Sequence, residues 1–274
     1  MVSTASILFM CVTLFLSLLL PLIVLLVLQK GRRGVFSVWI AGALGFAVPQ
    51  LFIRIPLLQT LGTQESFHQF TIAHPYVTVS LMAATAALFE TTGRLLVFKV
   101  ALSKRLSYMT GLAAGAGHGG IEAITIVGML YINNLIVSLS INSGNLSNLL
   151  PADPALAESI RQSLVGAPPE LFLLAGFERV FTMVIQVALS IILALFIMKK
   201  RAITGFIVVC LLHFFVDFSI GLLQMKGLSA FTIESLVFIF AVAALVAIIK
   251  LRPAFGDRLE IPVDLGEQAV NEGY

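Results

Sequence analysis

An all-α fold, a polytopic membrane protein of about seven transmembrane helices, follows from three observations. Of the 274 residues, 59% are hydrophobic. Only 11% are charged, against about a quarter in soluble domains, and the mean hydropathy is +1.03. Seven apolar runs, each long enough to cross a bilayer, are separated by polar connections.

The runs are read in order. The first, 5–28, has no Lys or Arg before Lys30 and exceeds the core of a signal peptide, so a retained membrane helix is expected. The second, 35–57, follows Lys30-Gly31-Arg32-Arg33, and the third, 76–98, begins behind Pro75 and is followed by Lys99, Lys104 and Arg105. The fourth, 110–140, is the longest, which predicts a tilt or a break near Asn133 and Asn134. The fifth, 171–198, and the sixth, 202–225, are separated by Lys199-Lys200-Arg201, and Lys250 and Arg252 close the seventh, 230–250.

The alternate connections, 58–75, 141–170 and 226–229, contain only Arg161 and Lys226 of the Lys and Arg residues. Basic connections gathered at one end predict an outside N-terminus and a cytoplasmic C-terminus. The net charge of +3 therefore reflects topology, and no nucleic-acid partner is implied. Residues 1–252 form one transmembrane domain. Within it, ALAESIRQSL between prolines predicts a short amphipathic, extracytoplasmic surface helix near 153–165. Residues 253–274 read as a polar, acidic cytoplasmic tail, expected to be disordered and without a catalytic role. No internal repeat is evident, which argues against an inverted-repeat transporter. Cys11 and Cys210 lie in apolar runs, where Cys acts as a small hydrophobe.

Ionisable residues inside a bilayer are expensive and mark function. His118 and Glu122 stand four residues apart on the fourth run, and His213 and Asp217 repeat that spacing on the sixth. Each pair shares one helix face, an arrangement suited to a metal held between helices. Glu90 and Arg94 form a third i,i+4 pair on the third run, readable as an ion pair that clasps the fold or serves the site. The fifth run carries Glu178, Arg179, Thr182 and Gln186, with 178, 182 and 186 on one face. His118, Glu122, His213, Asp217 and Gln186 fall at similar depth when counted from their basic flanks. Gly111, Gly115 and Gly119 form a small-residue stripe on the fourth run, read as packing or as space for a metal and an extended substrate. His68 and His74 lie in a connection and read as surface residues.

Glu90, Glu122, Glu178 and Asp217 outnumber Arg94 and Arg179 by two charges. One bound divalent ion, or two protonated carboxyls, would cancel the difference. Imidazole with carboxylate suits zinc, whose catalytic sites keep a position open for water. The expected ligands are His118, Glu122, His213 and Asp217, with Glu122 also the candidate general base and Asp217 alternatively orienting His213.

The order FETTGR, GAGHGGIEAI, GFERVF, LLHFFVD resembles the YhfC family of intramembrane metalloproteases, distant relatives of the CAAX-processing and bacteriocin-immunity-associated proteases. The resemblance covers most of the seven runs, and GHGGIEA and FER carry it most specifically. It implies a helical bundle with an intramembrane metal site and a functional core of Glu90, Arg94, His118, Glu122, Glu178, Arg179 and His213. In the family a His follows the FER block, where this chain has Gln186, a poor zinc ligand beside imidazole. The expected activity is hydrolysis of a peptide bond in a membrane-embedded protein or peptide substrate, in a multi-pass cell-membrane protein, the plasma membrane of a bacterium. Two alternatives stay open. One is an inactive relative that binds partner helices through the glycine-rich fourth run, as the similarity of such proteins to the Aph scaffold subunit of gamma-secretase suggests. The other is a proton- or cation-coupled transporter.

Overall fold

A computed structural model of the chain describes residues 1–146 and 154–262. Among these residues there is no strand, and seven helices are long and apolar enough to cross a membrane. They span Thr4–Gln29, Val35–Gly62, Pro75–Ala101, Tyr108–Asn142, Pro169–Met198, Ala202–Met225 and Ala230–Phe255, matching the seven expected runs to within a few residues at each end. The protein is a multi-pass membrane protein. It exposes large apolar side chains such as Leu26, Phe52 and Phe231 on its periphery, as a surface facing hydrocarbon requires.

Three expected features came out differently. The connection 58–75 is mostly helical: the second span runs to Gly62, and a separate helix occupies Glu65–Ala73. On that helix His68 is exposed, as is His74 at its end. The fourth span does not break at Asn133 and Asn134, which lie within the regular helix Met129–Asn142. Asn costs a helix only about 0.7 kcal/mol relative to Ala, too little to break a packed span. The irregularity is instead a wide π turn over Ala123–Gly128, beginning directly after Glu122. The tail does not lose order at 253: Arg252–Phe255 form a 3-10 turn, and Phe255 and Ile261 are buried. Tyr108 N–H donates to Arg258 O at 2.9 Å and Met109 N–H to Leu259 O at 3.0 Å. These carbonyls satisfy amides at the start of the fourth span that have no partner within the helix. Residues 263–274 of the expected tail lie outside the described residues.

A helix at Pro154–Gly166 occupies the segment read as a surface helix. On it, hydrogen bonds from the Arg161 guanidinium and the Gln162 amide hold the exposed Glu158 carboxyl down at about 2. A depressed carboxyl contributes stability above its unfolded value near 4.5, and this is lost as pH falls toward the folded value. The Glu158 side-chain carboxyl ¹³C signal is therefore expected to stay at its ionised position at pH 3.5 and to move only near pH 2. A midpoint near 4.5 would show that the three side chains do not hold together.

The fourth span is the axle of the bundle. Its segment from Tyr108 to Gly120 is buried on nearly every side, with the second and fifth spans packed most extensively against it. A Cβ at Gly115 would lie 2.6 Å from Val187 Cα, and one at Gly119 would lie 3.0 Å from Met183 Cα, so the stripe is filled by the fifth span. On the opposite face a Cβ at Gly117 would meet Trp39 O at 1.9 Å, and one at Gly42 would meet Ala114 O at 2.0 Å. The space expected for a metal and substrate, or for a partner helix, is therefore taken by the protein's own backbones.

Candidate functional site

The third, fifth and sixth spans each turn one stripe inward. Ala83, Ala86, Ala87, Glu90 and Arg94 are buried on the third, Gly176, Arg179, Met183 and Gln186 on the fifth, and Gly205, Val209 and His213 on the sixth. The spacings of three and four put polar and small residues on the same side, which inverts the usual amphipathic pattern. In a bilayer the polar stripe must be the inner one.

Glu90 stands at the centre. Its Oε2 lies 3.0 Å from His118 Nε2, 3.5 Å from Arg94 Nη2 and 3.7 Å from His213 Nε2. Gln186 Nε2 donates to the same oxygen at 3.2 Å, and Gln50 Nε2 donates to Glu90 Oε1 at 2.7 Å. Glu90, His118, Arg94, Gln186 and His213 are all buried. The third span thus meets four others through one carboxylate.

Glu122 occupies the far side of this cluster. Gln186 Nε2 donates to its Oε2 at 2.7 Å and Arg179 Nη1 to its Oε1 at 3.2 Å, and Arg179 also pairs with Glu178 through Nη2. Arg94 Nη2 donates to Gln186 Oε1. A guanidinium only donates, so Arg94 keeps the Gln186 oxygen on its own side and turns the NH2 group toward the two carboxylates.

The structure groups the candidate ligands in a particular way. Glu90, His118 and Glu122 offer one donor atom each within 4.8 Å of one another. His213 Nε2 lies 3.7 Å from Glu90 Oε2, and Asp217 Oδ2 lies 3.5 Å from the same nitrogen. The group holds two of the four residues expected as ligands, His118 and Glu122, together with Glu90, expected in the functional core and as half of an ion pair. One imidazole nitrogen and two carboxylates are a donor set that zinc and other divalent ions accept, so the residues fit a metal. The fit has a competitor in Gln186, whose NH2 already bridges Glu90 and Glu122.

Gln50 and Arg54 were missed in the sequence because neither belongs to an i,i+4 acid–histidine pair. Both sit in a wide-turn segment, Ala47–Arg54, which contains Pro49 and is followed by Pro56. Proline removes a backbone donor, and two in eight residues were the available signal for an irregular, inward-facing turn. Wide turns recur at functional sites. Arg54 adds a positive charge to the site, and Glu234 on the seventh span, within electrostatic reach of Arg179, adds a negative one. The excess of two negative charges counted in the sequence is unchanged.

Glu90, Glu122, Glu178, Arg179, Gln186, His213 and Asp217 line, among others, a cavity of about 610 Å³, while His118 and Arg94 are not on its wall. From Glu90 it reaches Thr78 in the first turn of the third span, and Met225 in the last turn of the sixth. Twelve residues of helix place the acidic cluster roughly 18 Å below that end. The end is the one opposite the basic connections. Its volume lies within the usual range for a ligand site.

The comparisons with known proteins agree with this picture. The chain is 28% identical over 264 residues to a Bacillus subtilis (strain 168) protein named "Uncharacterized membrane protein YhfC", with 93% of this chain and 100% of that protein covered. No solved structure matches it. A family model described as YhfC intramembrane metalloprotease matches residues 16–238, a stretch that contains every residue of the acidic cluster. The chain belongs to the YhfC intramembrane metalloprotease family.

Proposed function

We propose that the protein is an intramembrane zinc metalloprotease that hydrolyses a peptide bond of a membrane-embedded substrate at the plasma membrane of a bacterium. The observation that carries this reading is the buried Glu90–His118–Glu122 group, whose two carboxylates line a cavity within the spans. His118 Nε2 and one oxygen each of Glu90 and Glu122 would hold the ion. When bound, zinc supplies a Lewis acid and a water acidic enough to attack a peptide carbonyl.

The chain's own groups do the remainder. His213 stands on the cavity wall with Nε2 between Asp217 and Glu90, placed to accept the proton of the attacking water and return it to the departing amine. Asp217 pairs with the imidazolium that forms when Nε2 takes that proton. This role suits His213 better than Glu122, because Arg179 and Gln186 engage both Glu122 oxygens. Arg179 braces Glu122 against Glu178, and Arg94 braces Glu90 while fixing the amide of Gln186. The apolar walls keep bulk water from the scissile bond and accept the flanks of an extended apolar segment.

Elemental analysis of the purified protein tests this. Stoichiometric zinc that survives mild chelation is expected in the wild type and is lost in His118→Ala with the helical content intact. No zinc in the wild type, even after it is supplied, would remove the metalloprotease reading. One observation favours a second reading, a catalytically silent relative: the Gln186 amide donates to both carboxylates. That reading expects a metal-free protein that remains fully folded. A role in gathering partner helices through the glycine stripe has lost its support, since the second and fifth spans fill both faces.

A further inference from the structure

Gln50 belongs to none of the sequence motifs, yet it is buried against the centre of the site. Its Nε2 donates to Glu90 Oε1 at 2.7 Å, and its Oε1 accepts from Arg54 Nη1 at 3.3 Å. Arg54 is itself held by Thr85 Oγ1 at 3.1 Å and the Met82 carbonyl at 2.7 Å. A free amide can turn over and present either its oxygen or its nitrogen. Here a guanidinium, which has nothing to accept with, dictates that the oxygen faces Arg54 and the NH2 faces Glu90.

Gln186 is locked in the same way by Arg94 but to the opposite effect. Its NH2 lies between Glu90 and Glu122, 3.2 Å from one and 2.7 Å from the other. One arginine-locked amide thus grips the oxygen of Glu90 that faces away from the histidines. The other stands between the two carboxylates that a cation would neutralise.

We infer that Gln50 is a positioning residue for Glu90: its amide, locked by Arg54, holds Oε1 and so aims Oε2 at His118 and at the ion-holding group. Gln186 is its counterpart, an amide that stands in for the cation and must give way when one binds. The inference rests on the metal reading for its effect on affinity, but the grip of Gln50 on Glu90 has a readout of its own.

The test is zinc affinity, measured by chelator competition on the full-length protein in detergent micelles for wild type, Gln50→Leu and Gln186→Leu. Residues that orient a metal ligand typically cost about 10- to 100-fold in affinity when removed, so Gln50→Leu is expected to bind zinc that much more weakly. Gln186→Leu is expected to bind at least as tightly as wild type. Both changes strip one buried amide from the same carboxylate, so a general loosening of the bundle would move them in the same direction. Equal weakening of both, or unchanged affinity in Gln50→Leu, overturns the assignment.

A wild type that takes up no zinc defeats the metal reading and leaves Gln50 to the second measurement, the ¹⁵N side-chain amide signal of Gln50. That signal is expected to shift in Glu90→Gln and to broaden in Arg54→Leu, as the amide regains its freedom to turn. A signal that neither change moves overturns the positioning role, whether or not zinc binds.

Discussion

Glu90→Ala is expected to abolish zinc binding and to destabilise the bundle by about 3–5 kcal/mol, the cost of removing one partner from a buried ionic cluster. The carboxylate is shared by His118, Arg94, Gln50 and Gln186, which come from four different spans. Without it Arg94 keeps the oxygen of Gln186 but loses the carboxylate it pairs with while staying buried. Deleting an acceptor costs more than deleting a donor–acceptor pair, because the orphaned groups remain out of water. Reversible unfolding in mixed detergent micelles measures the loss. Glu90→Gln, which keeps the shape and one acceptor oxygen, is expected to lose less stability and still to bind zinc poorly. A loss below about 1 kcal/mol for Glu90→Ala, the range of an exposed ion pair, would mean that Glu90 is hydrated and that the cluster is not the joint described above.

Gly117→Leu is expected to be the most damaging change away from the charged groups. A Cβ at this position would stand 1.9 Å from the Trp39 carbonyl oxygen, and a backbone carbonyl cannot swing aside as a side chain can. The second and fourth spans must separate, at a cost of about 3 kcal/mol or more, the upper part of the usual range for overpacking. Because His118 is the next residue, separation also moves its imidazole relative to Glu90, so zinc affinity and stability should fall together. Gly62→Ala is the control: nothing lies within 4 Å of its Cβ position, and a change within about 0.5 kcal/mol is expected, as for ordinary surface substitutions. Equal stability of the two variants would contradict the close crossing at Trp39.

The physical basis of these two predictions differs in how far it could be read in advance. The number of spans, their approximate ends and the gathering of basic residues at one end were legible, because a bilayer sets helix length and loop charge with little help from tertiary context. The pairs His118 with Glu122 and His213 with Asp217 were legible for a similar reason, since helical periodicity alone puts residues four apart on one face. Gln186, expected at their depth, donates to Glu122 at 2.7 Å. The wide turns were not legible: Asn133 and Asn134 looked like the weak point of the fourth span, and the irregularity came directly after Glu122 instead. Gln50 and Arg54 stayed hidden for the same reason, since an eight-residue wide turn shifts the face that any later residue presents.

What the sequence by itself determined is a seven-span membrane protein whose few intramembrane ionisable residues are paired at helical spacing. What only the tertiary structure decided is which of those residues meet. Periodicity relates residues on one helix but says nothing about the rotation of one helix against another. That rotation is set by contacts such as Gly117 on Trp39, Gly42 on Ala114 and Gly115 on Val187, where the absence of a side chain lets two backbones touch in only one orientation. Those contacts bring Glu90, in place of Asp217, beside His118.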